Sequence, residues 1–77
     1  MPTIFIAGYK FRFYSSDLNE PPHVHVIHAE KVAKVWLDPV ELEYGRRFNR
    51  TELNRVVKLT QENQERLLEA WHEYFNR

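Results

Sequence analysis

Cysteine is absent from this 77-residue sequence, glycine occurs twice and methionine once. Without cysteine the chain can form neither a disulfide bond nor a thiolate metal site. It also lacks any apolar run that approaches the ~18 residues a membrane-spanning helix needs. The residues after Met1 include neither a charged region nor a cleavage site, so no secretory signal peptide is indicated. We therefore expect a soluble, cytoplasmic protein that does not contact a membrane.

An excess of either charge is also absent, because eleven basic residues balance eleven acidic ones. Net charge therefore gives no indication of a nucleic-acid or membrane partner, and only the arrangement of the charges can. A chain of this length buries only about 60% of its unfolded surface, which predicts one domain with a thin core. Aromatic residues, at 14%, partly compensate. A small domain without disulfides can also gain stability as a homo-oligomer, and that alternative stays open.

Apolar and polar residues alternate in short runs over residues 1–47, which predicts a sheet region, and residues 48–77 have helical spacing. Strands are expected at residues 4–7, 10–14, 23–28, 31–37 and 40–44, with a polar loop at 15–22. The fold class is α+β: residues 1–77 form a single domain with an antiparallel sheet of about four to five strands, covered on one face by one or two C-terminal helices. The residues predicted to be buried are Phe11, Phe13, Val24, Val26, Ala33, Val35 and Leu37.

The start of the helical region has the clearest local pattern. Asn49 is a favourable N-cap, Glu52 follows three residues later, and Phe48 with Leu53 matches a hydrophobic staple. The polar residues 60–64 allow either one long helix or a break at Asn63. Two helices are favoured, since a small sheet cannot cover one helix of that length.

The face opposite the helices is predicted by the same alternation to be basic and aromatic, and none of its predicted residues is acidic. It suits contact with phosphate groups and stacking on bases. An ordinary solvated sheet face is the alternative. Its residues are Lys10, Arg12, Tyr14, His23, His25, Lys34 and Trp36.

His23 and His25 follow Pro21 and Pro22 on one strand and lie on its same face, roughly 6–7 Å apart. Two histidines beside a cation can cleave RNA, one taking the proton of the 2′-hydroxyl and the other protonating the leaving oxygen. We assign candidate catalytic roles to His23, His25 and Lys34. Binding roles go to Lys10, Arg12, Tyr14 and Trp36.

Two other interpretations of the histidine pair stay open. The pair can ligate a metal if further ligands come from His28, His72, Asp17, Glu20 or a second chain. Alternatively, both histidines only hydrogen-bond the preceding loop. The prediction itself names no metal ligand and no cofactor. Pro2 is treated as structural, with tautomerase chemistry at a free N-terminal proline as a remote alternative.

The residues that carry a resemblance are Met1–Ile4, Gly8, Phe11–Ser15, Pro21–Val26, Ala33–Val40 and Leu67–Phe75. In these stretches the chain resembles a family of small bacterial proteins known as domain of unknown function "forty-one sixty". The resemblance covers nearly the whole chain and points to Pro22, His23, His25, Lys34 and Trp36. Genes of that family often lie beside another small gene, which implies the toxin of a type II toxin–antitoxin pair.

The leading hypothesis is thus a toxin that acts on RNA or on translation through the histidine-bearing face. Its partner would be a small antitoxin-like protein from a neighbouring gene. If the protein is an enzyme, it is endoribonuclease-like and uses histidine acid–base chemistry. The alternatives are a non-catalytic module that binds protein or nucleic acid, and a small metal-binding protein.

Overall fold

A computed structural model of the chain describes residues 3–75, so Pro2 lies outside the described residues. One antiparallel sheet contains five strands in sequence order, and two helices follow it. The predicted α+β fold and the break between two helices are confirmed. None of the helices in the described residues is long and apolar enough to cross a membrane. The elements are β1 (Thr3–Ile6), β2 (Tyr9–Arg12), a 3₁₀ helix (Ser15–Asn19), β3 (His23–His28), β4 (Lys31–Leu37), β5 (Val40–Arg46), α1 (Arg50–Glu62) and α2 (Gln64–Phe75).

Tight turns connect β1 to β2 and β3 to β4. Ala7 and Gly8 join β1 to β2 with φ angles of 51° and 86°. Positive φ at both central residues is what a type I′ hairpin turn requires, and glycine adopts it without steric cost. Ala29, with φ of 55°, begins the turn from β3 to β4. The turn from β4 to β5 contains a cis bond between Asp38 and Pro39.

The core lies between one face of the sheet and the two helices. All seven residues that alternation predicted to be buried have 0% exposure. The helices contribute Val56, Leu67 and Trp71 to the same cluster. Alternation therefore assigned the faces of β2, β3 and β4 correctly, which fixes the side chains on the opposite face.

Gly45 in β5 allows α1 to approach the sheet closely. A Cβ atom at this position would lie 2.4 Å from Leu53 Cδ2, closer than non-bonded carbon atoms can pack. The missing side chain therefore leaves room for Leu53, which packs on the core. Glycine here serves close packing of helix on strand.

Asn49 begins α1, and Asn63 lies between α1 and α2. Asn49 Oδ1 accepts the Glu52 N–H at 2.8 Å, so the predicted N-cap is confirmed. The Glu52 carboxylate instead accepts from Lys31 Nζ at 2.8 Å and ties α1 to β4. Asn63 donates its N–H to the Leu59 carbonyl at 3.1 Å and accepts the Leu67 N–H at 2.9 Å. It thus ends α1 and begins α2, as predicted.

Replacing the N-cap is expected to cost a modest part of the stability. Asn49→Ala leaves the Glu52 N–H without its side-chain acceptor and should lower the free energy of unfolding by about 1 kcal/mol. The matched control is Asn54→Ala, because Asn54 is an exposed residue inside α1, where alanine is the better helix former. Urea unfolding followed by circular dichroism measures both. Equal effects of the two substitutions would contradict the capping role.

Candidate functional site

Strand register arranges most of the predicted face residues in two neighbouring rows across the sheet. In one row Arg12 lies opposite His25, which lies opposite Lys34. In the next row His23 lies opposite Trp36. These rows bring together the three candidate catalytic residues and two of the candidate binding residues.

The other two predicted binding residues differ in their relation to these rows. The Tyr14 ring packs edge-on against the His25 ring, with the centroids 4.7 Å apart, so Tyr14 borders the site. Lys10 is exposed and lies opposite Ile27, beyond the first row. Tyr14 therefore belongs to the site geometry, while Lys10 lies at its margin.

Carboxylates also reach this face, which corrects the expectation that it carries no acid. Glu20, from the loop before β3, accepts from Lys34 Nζ at 2.6 Å. Glu43, in β5, accepts from Trp36 Nε1 at 2.9 Å. The loop and the neighbouring strand thus supply negative charge that the pattern along β2, β3 and β4 does not contain.

A third carboxylate, that of Asp17, comes from the 3₁₀ helix inside the predicted polar loop. The Tyr14 N–H donates to Asp17 Oδ2 at 3.0 Å, and the Asp17 N–H donates back to the Tyr14 carbonyl at 2.9 Å. This reciprocal pair holds the side chain of Asp17, which is only 6% exposed, against the sheet.

Asp17, His23 and His25 form the most concentrated group of titratable side chains on this face, here called the Asp–His–His cluster. His23 Nε2 lies 3.2 Å from Asp17 Oδ1, and His25 Nε2 lies 3.3 Å from Asp17 Oδ2. One ligand atom from each residue lies within 4.8 Å of the others. The cluster thus has a donor set of two imidazoles and one carboxylate, which is able to hold a metal ion or to move a proton.

His23 is the completely buried member of the cluster. Its Nδ1 lies 2.9 Å from the Pro21 carbonyl oxygen, which only accepts, so Nδ1 carries the hydrogen. Trp36 and Trp71 pack on the ring with centroid distances of 5.3 and 5.2 Å. Because His23 is buried, a substrate in solvent cannot contact the ring directly, as the catalytic role predicted from the sequence would require.

His25 is the accessible histidine of the cluster, with 14% of its side chain exposed. Burial lowers the pKa of His25, and the nearby Asp17 carboxylate opposes this effect only in part. Burial raises the pKa of Asp17, but the Tyr14 N–H and the two histidines outweigh it, so the pKa is lowered overall. At neutral pH the cluster therefore combines an ionised Asp17 with a neutral His25.

Arg12 and Lys34 provide the cations beside the cluster. Arg12 Nε is buried and has no hydrogen-bond partner within residues 3–75, and the guanidinium carbon lies 5.8 Å from the Tyr14 ring centre. Lys34 Nζ lies 4.7 Å from the Trp36 ring centre, and its hydrogen bond to Glu20 raises its pKa. The half-buried Arg12 and Lys34 therefore place two positive charges on either side of His25.

The sequence pattern suggests Asp17 and Glu20 only as further metal ligands and does not place them on the face. It indicates no site contact for Glu43 or Trp71. An aspartate three residues after Tyr14, followed by two prolines, was the available signal for Asp17. His28, one of the candidate further ligands, lies outside the cluster, and its Nδ1 lies 3.2 Å from the Gly8 carbonyl oxygen.

Comparison with known proteins identifies a family but no activity. Residues 8–72 match the family model described as "Domain of unknown function (DUF4160)". No curated protein and no solved structure matches the chain.

Proposed function

The chain belongs to the DUF4160 family of domains of unknown function, and from this premise we propose that it is the toxin of a type II toxin–antitoxin pair that acts on RNA. The observation that carries the proposal is the Asp–His–His cluster, where a partly exposed His25 lies beside the cations Arg12 and Lys34. The resemblance noted above, with its implied pairing of small genes, supplies the toxin context.

The groups around His25 suit a phosphodiester. Arg12 is half-buried and lies opposite His25, and guanidinium donors bind phosphate oxygens strongly. Lys34 is held by Glu20, whose side chain is 45% exposed. An exposed ion pair contributes little free energy, so a phosphate can replace Glu20 at low cost. The rings of Tyr14 and Trp36 offer surfaces on which bases stack.

The reaction class that fits is cleavage at the 2′-hydroxyl of RNA. The cluster accepts the proton of the 2′-hydroxyl, the 2′-oxygen attacks phosphorus, and the 5′-oxygen leaves with a returned proton. A positive group such as Arg12 stabilises the negative charge that develops on the phosphorane. In this proposal His25 contacts the reacting groups, and the buried His23 is a positioning residue that orients Asp17 and His25.

A small antitoxin-like protein from a neighbouring gene is the proposed partner. It would neutralise the toxin by covering the face around His25. Its contact surface would then be rich in acidic or amide groups that satisfy Arg12 and displace Glu20 from Lys34.

Expression of the protein alone in a bacterial host is expected to arrest growth, and His25→Ala is expected to relieve the arrest. The matched control is His72→Ala, because His72 is exposed on α2 outside the cluster and its loss should leave the arrest unchanged. Growth curves after induction measure the effect, with circular dichroism of each purified variant to check the fold. Normal growth with wild-type protein confirmed in the cells by immunoblot would overturn the toxin proposal.

Cleavage of RNA is tested separately with purified protein and single-stranded RNA. The proposed catalysis would be contradicted by growth arrest without RNA cleavage. It would also be contradicted if a folded variant with His23→Ala and His25→Ala bound RNA as well as the wild type does and neither protein cleaved it. That result would favour the alternative of a non-catalytic binding module on the same face.

A further inference from the structure

We propose that Asp17, His23 and His25 bind one divalent transition-metal ion through the carboxylate and the two Nε2 atoms. The sequence named no metal ligand and left metal binding by His23 and His25 open as an alternative, and this proposal commits to that alternative. Metal binding stands independently of the substrate proposed above, whereas use of the metal in RNA cleavage rests on the proposed function.

The spacing of the ligand atoms is the first argument. A zinc ion bound to nitrogen and oxygen at about 2.0–2.1 Å in tetrahedral geometry separates its ligands by about 3.3 Å. Asp17 Oδ1 lies 3.2 Å from His23 Nε2 and 3.5 Å from His25 Nε2, close to this separation. A direct charge-assisted N–H···O bond is shorter, about 2.7–2.9 Å. Asp17, His23 and His25 therefore each offer a ligand atom near enough to share one metal ion.

The orientation of the His23 ring is the second argument. Its Nδ1 lies 2.9 Å from the Pro21 carbonyl oxygen, so Nδ1 donates there and Nε2 is the ring nitrogen that lies beside Asp17. This buried nitrogen has no hydrogen-bond partner among the described residues, and the Asp17 oxygen at 3.2 Å is not aligned to serve as one. A metal ion would satisfy both atoms at once.

The surroundings of the cluster resemble those of metal sites in general. Metal-bound histidines usually donate their other ring N–H to a carbonyl or carboxylate, as His23 does to Pro21. Ligating carboxylates are usually hydrogen-bonded in turn, as Asp17 is by the Tyr14 N–H. Rings of Trp36 and Trp71 enclose the buried side of the cluster. These contacts hold two of the three ligands in place before the metal binds.

The donor set also indicates the class of metal. Imidazole nitrogen favours zinc and its neighbours among the divalent transition metals, whereas magnesium and calcium prefer oxygen ligands. Three protein ligands leave at least one coordination position for water or substrate, as in catalytic zinc sites. A metal held here would supply an activated water, and His25 would then act in cleavage as a ligand to the metal in place of the direct proton transfer proposed above.

The test is metal binding by protein purified without a histidine tag and treated with a chelator. Titration with Zn²⁺ in a calorimeter is expected to give one site per chain, and excess Mg²⁺ should not compete. Co²⁺ should produce visible absorption bands of a four- or five-coordinate ion. Asp17→Asn and His25→Ala should each weaken Zn²⁺ binding by at least about 10-fold, whereas His28→Ala and His72→Ala should bind as the wild type does.

Absence of stoichiometric Zn²⁺ binding by the folded wild type would overturn the proposal. Binding that survives both Asp17→Asn and His25→Ala would overturn it as well, since the metal would then be held elsewhere. Metal binding without growth arrest or RNA cleavage leaves this site in place and refutes the proposed function. RNA cleavage by chelator-treated protein that binds no metal would support the proposed function and refute the metal site.

Discussion

Asp17→Asn is expected to reduce RNA cleavage by at least about 100-fold while the protein remains folded. The Tyr14 N–H donates to Asp17 Oδ2, so the amide oxygen of the asparagine should occupy that position. The amide NH₂ group then faces His23 and His25 and donates to a ring nitrogen. The substitution thus removes the negative charge and the metal ligand but keeps the hydrogen bonds, and the free energy of unfolding should fall by no more than about 1 kcal/mol.

The matched control for this prediction is Asp38→Asn. Asp38 is an exposed residue in the turn between β4 and β5, so its neutralisation should leave cleavage unchanged. Initial rates on a single-stranded RNA compare the three proteins, and circular dichroism confirms their folds. A folded Asp17→Asn protein with wild-type cleavage would show that the carboxylate takes no part in the reaction.

The face of each central strand could be predicted because it depends only on local alternation. Val24 and Val26 had to lie on one side of β3 and His23 and His25 on the other, whatever the rest of the chain did. The end of α1 was predictable for a similar reason, because Asn63 supplies the cap within its own neighbourhood. Such features need only a few consecutive residues to be specified.

The surroundings of the two histidines could not be predicted in the same way. Asp17 reaches them only because the Tyr14 backbone caps the 3₁₀ helix, and alternation carries no information about a loop. The burial of His23 depends on Trp71, which lies 48 residues later in the chain and contacts the His23 ring because α2 packs against the sheet. A residue on the open face of the sheet can therefore still be buried, as His23 is at the start of β3.

The two prolines show how the local and distant contacts combine. Proline has no N–H, but both carbonyls are used here: that of Pro21 orients His23, and that of Pro22 accepts the Leu37 N–H at 3.0 Å. The Pro21–Pro22 segment is thereby held beside Leu37, the last residue of β4, just before β3 begins. Its function in this structure is to hold His23 in one orientation and tautomer, which the sequence could suggest only as the start of a strand.

Trp71→Ala is expected to lower the free energy of unfolding by about 3–5 kcal/mol, as loss of a buried aromatic ring commonly does. Trp71 is 4% exposed and packs edge-on against Phe13 with the ring centroids 5.6 Å apart. Its ring is tilted against those of Phe75, at 4.3 Å, and His23, at 5.2 Å. Whole domains are stable by only about 5–15 kcal/mol. The variant should therefore unfold at much lower urea concentration, measured by circular dichroism because one of the two tryptophans is lost.

Two further variants separate stability from site geometry. Phe5→Ala removes an aromatic ring that is 66% exposed, so it should change the free energy of unfolding by less than about 0.5 kcal/mol. Trp71→Phe keeps a ring in the core but reduces the wall against His23, so the protein should stay folded and bind Zn²⁺ more weakly. If Trp71→Phe loses stability and binds Zn²⁺ as the wild type does, Trp71 supports only the core. Weaker binding in a folded protein shows that α2, through one side chain, fixes the buried histidine of the cluster.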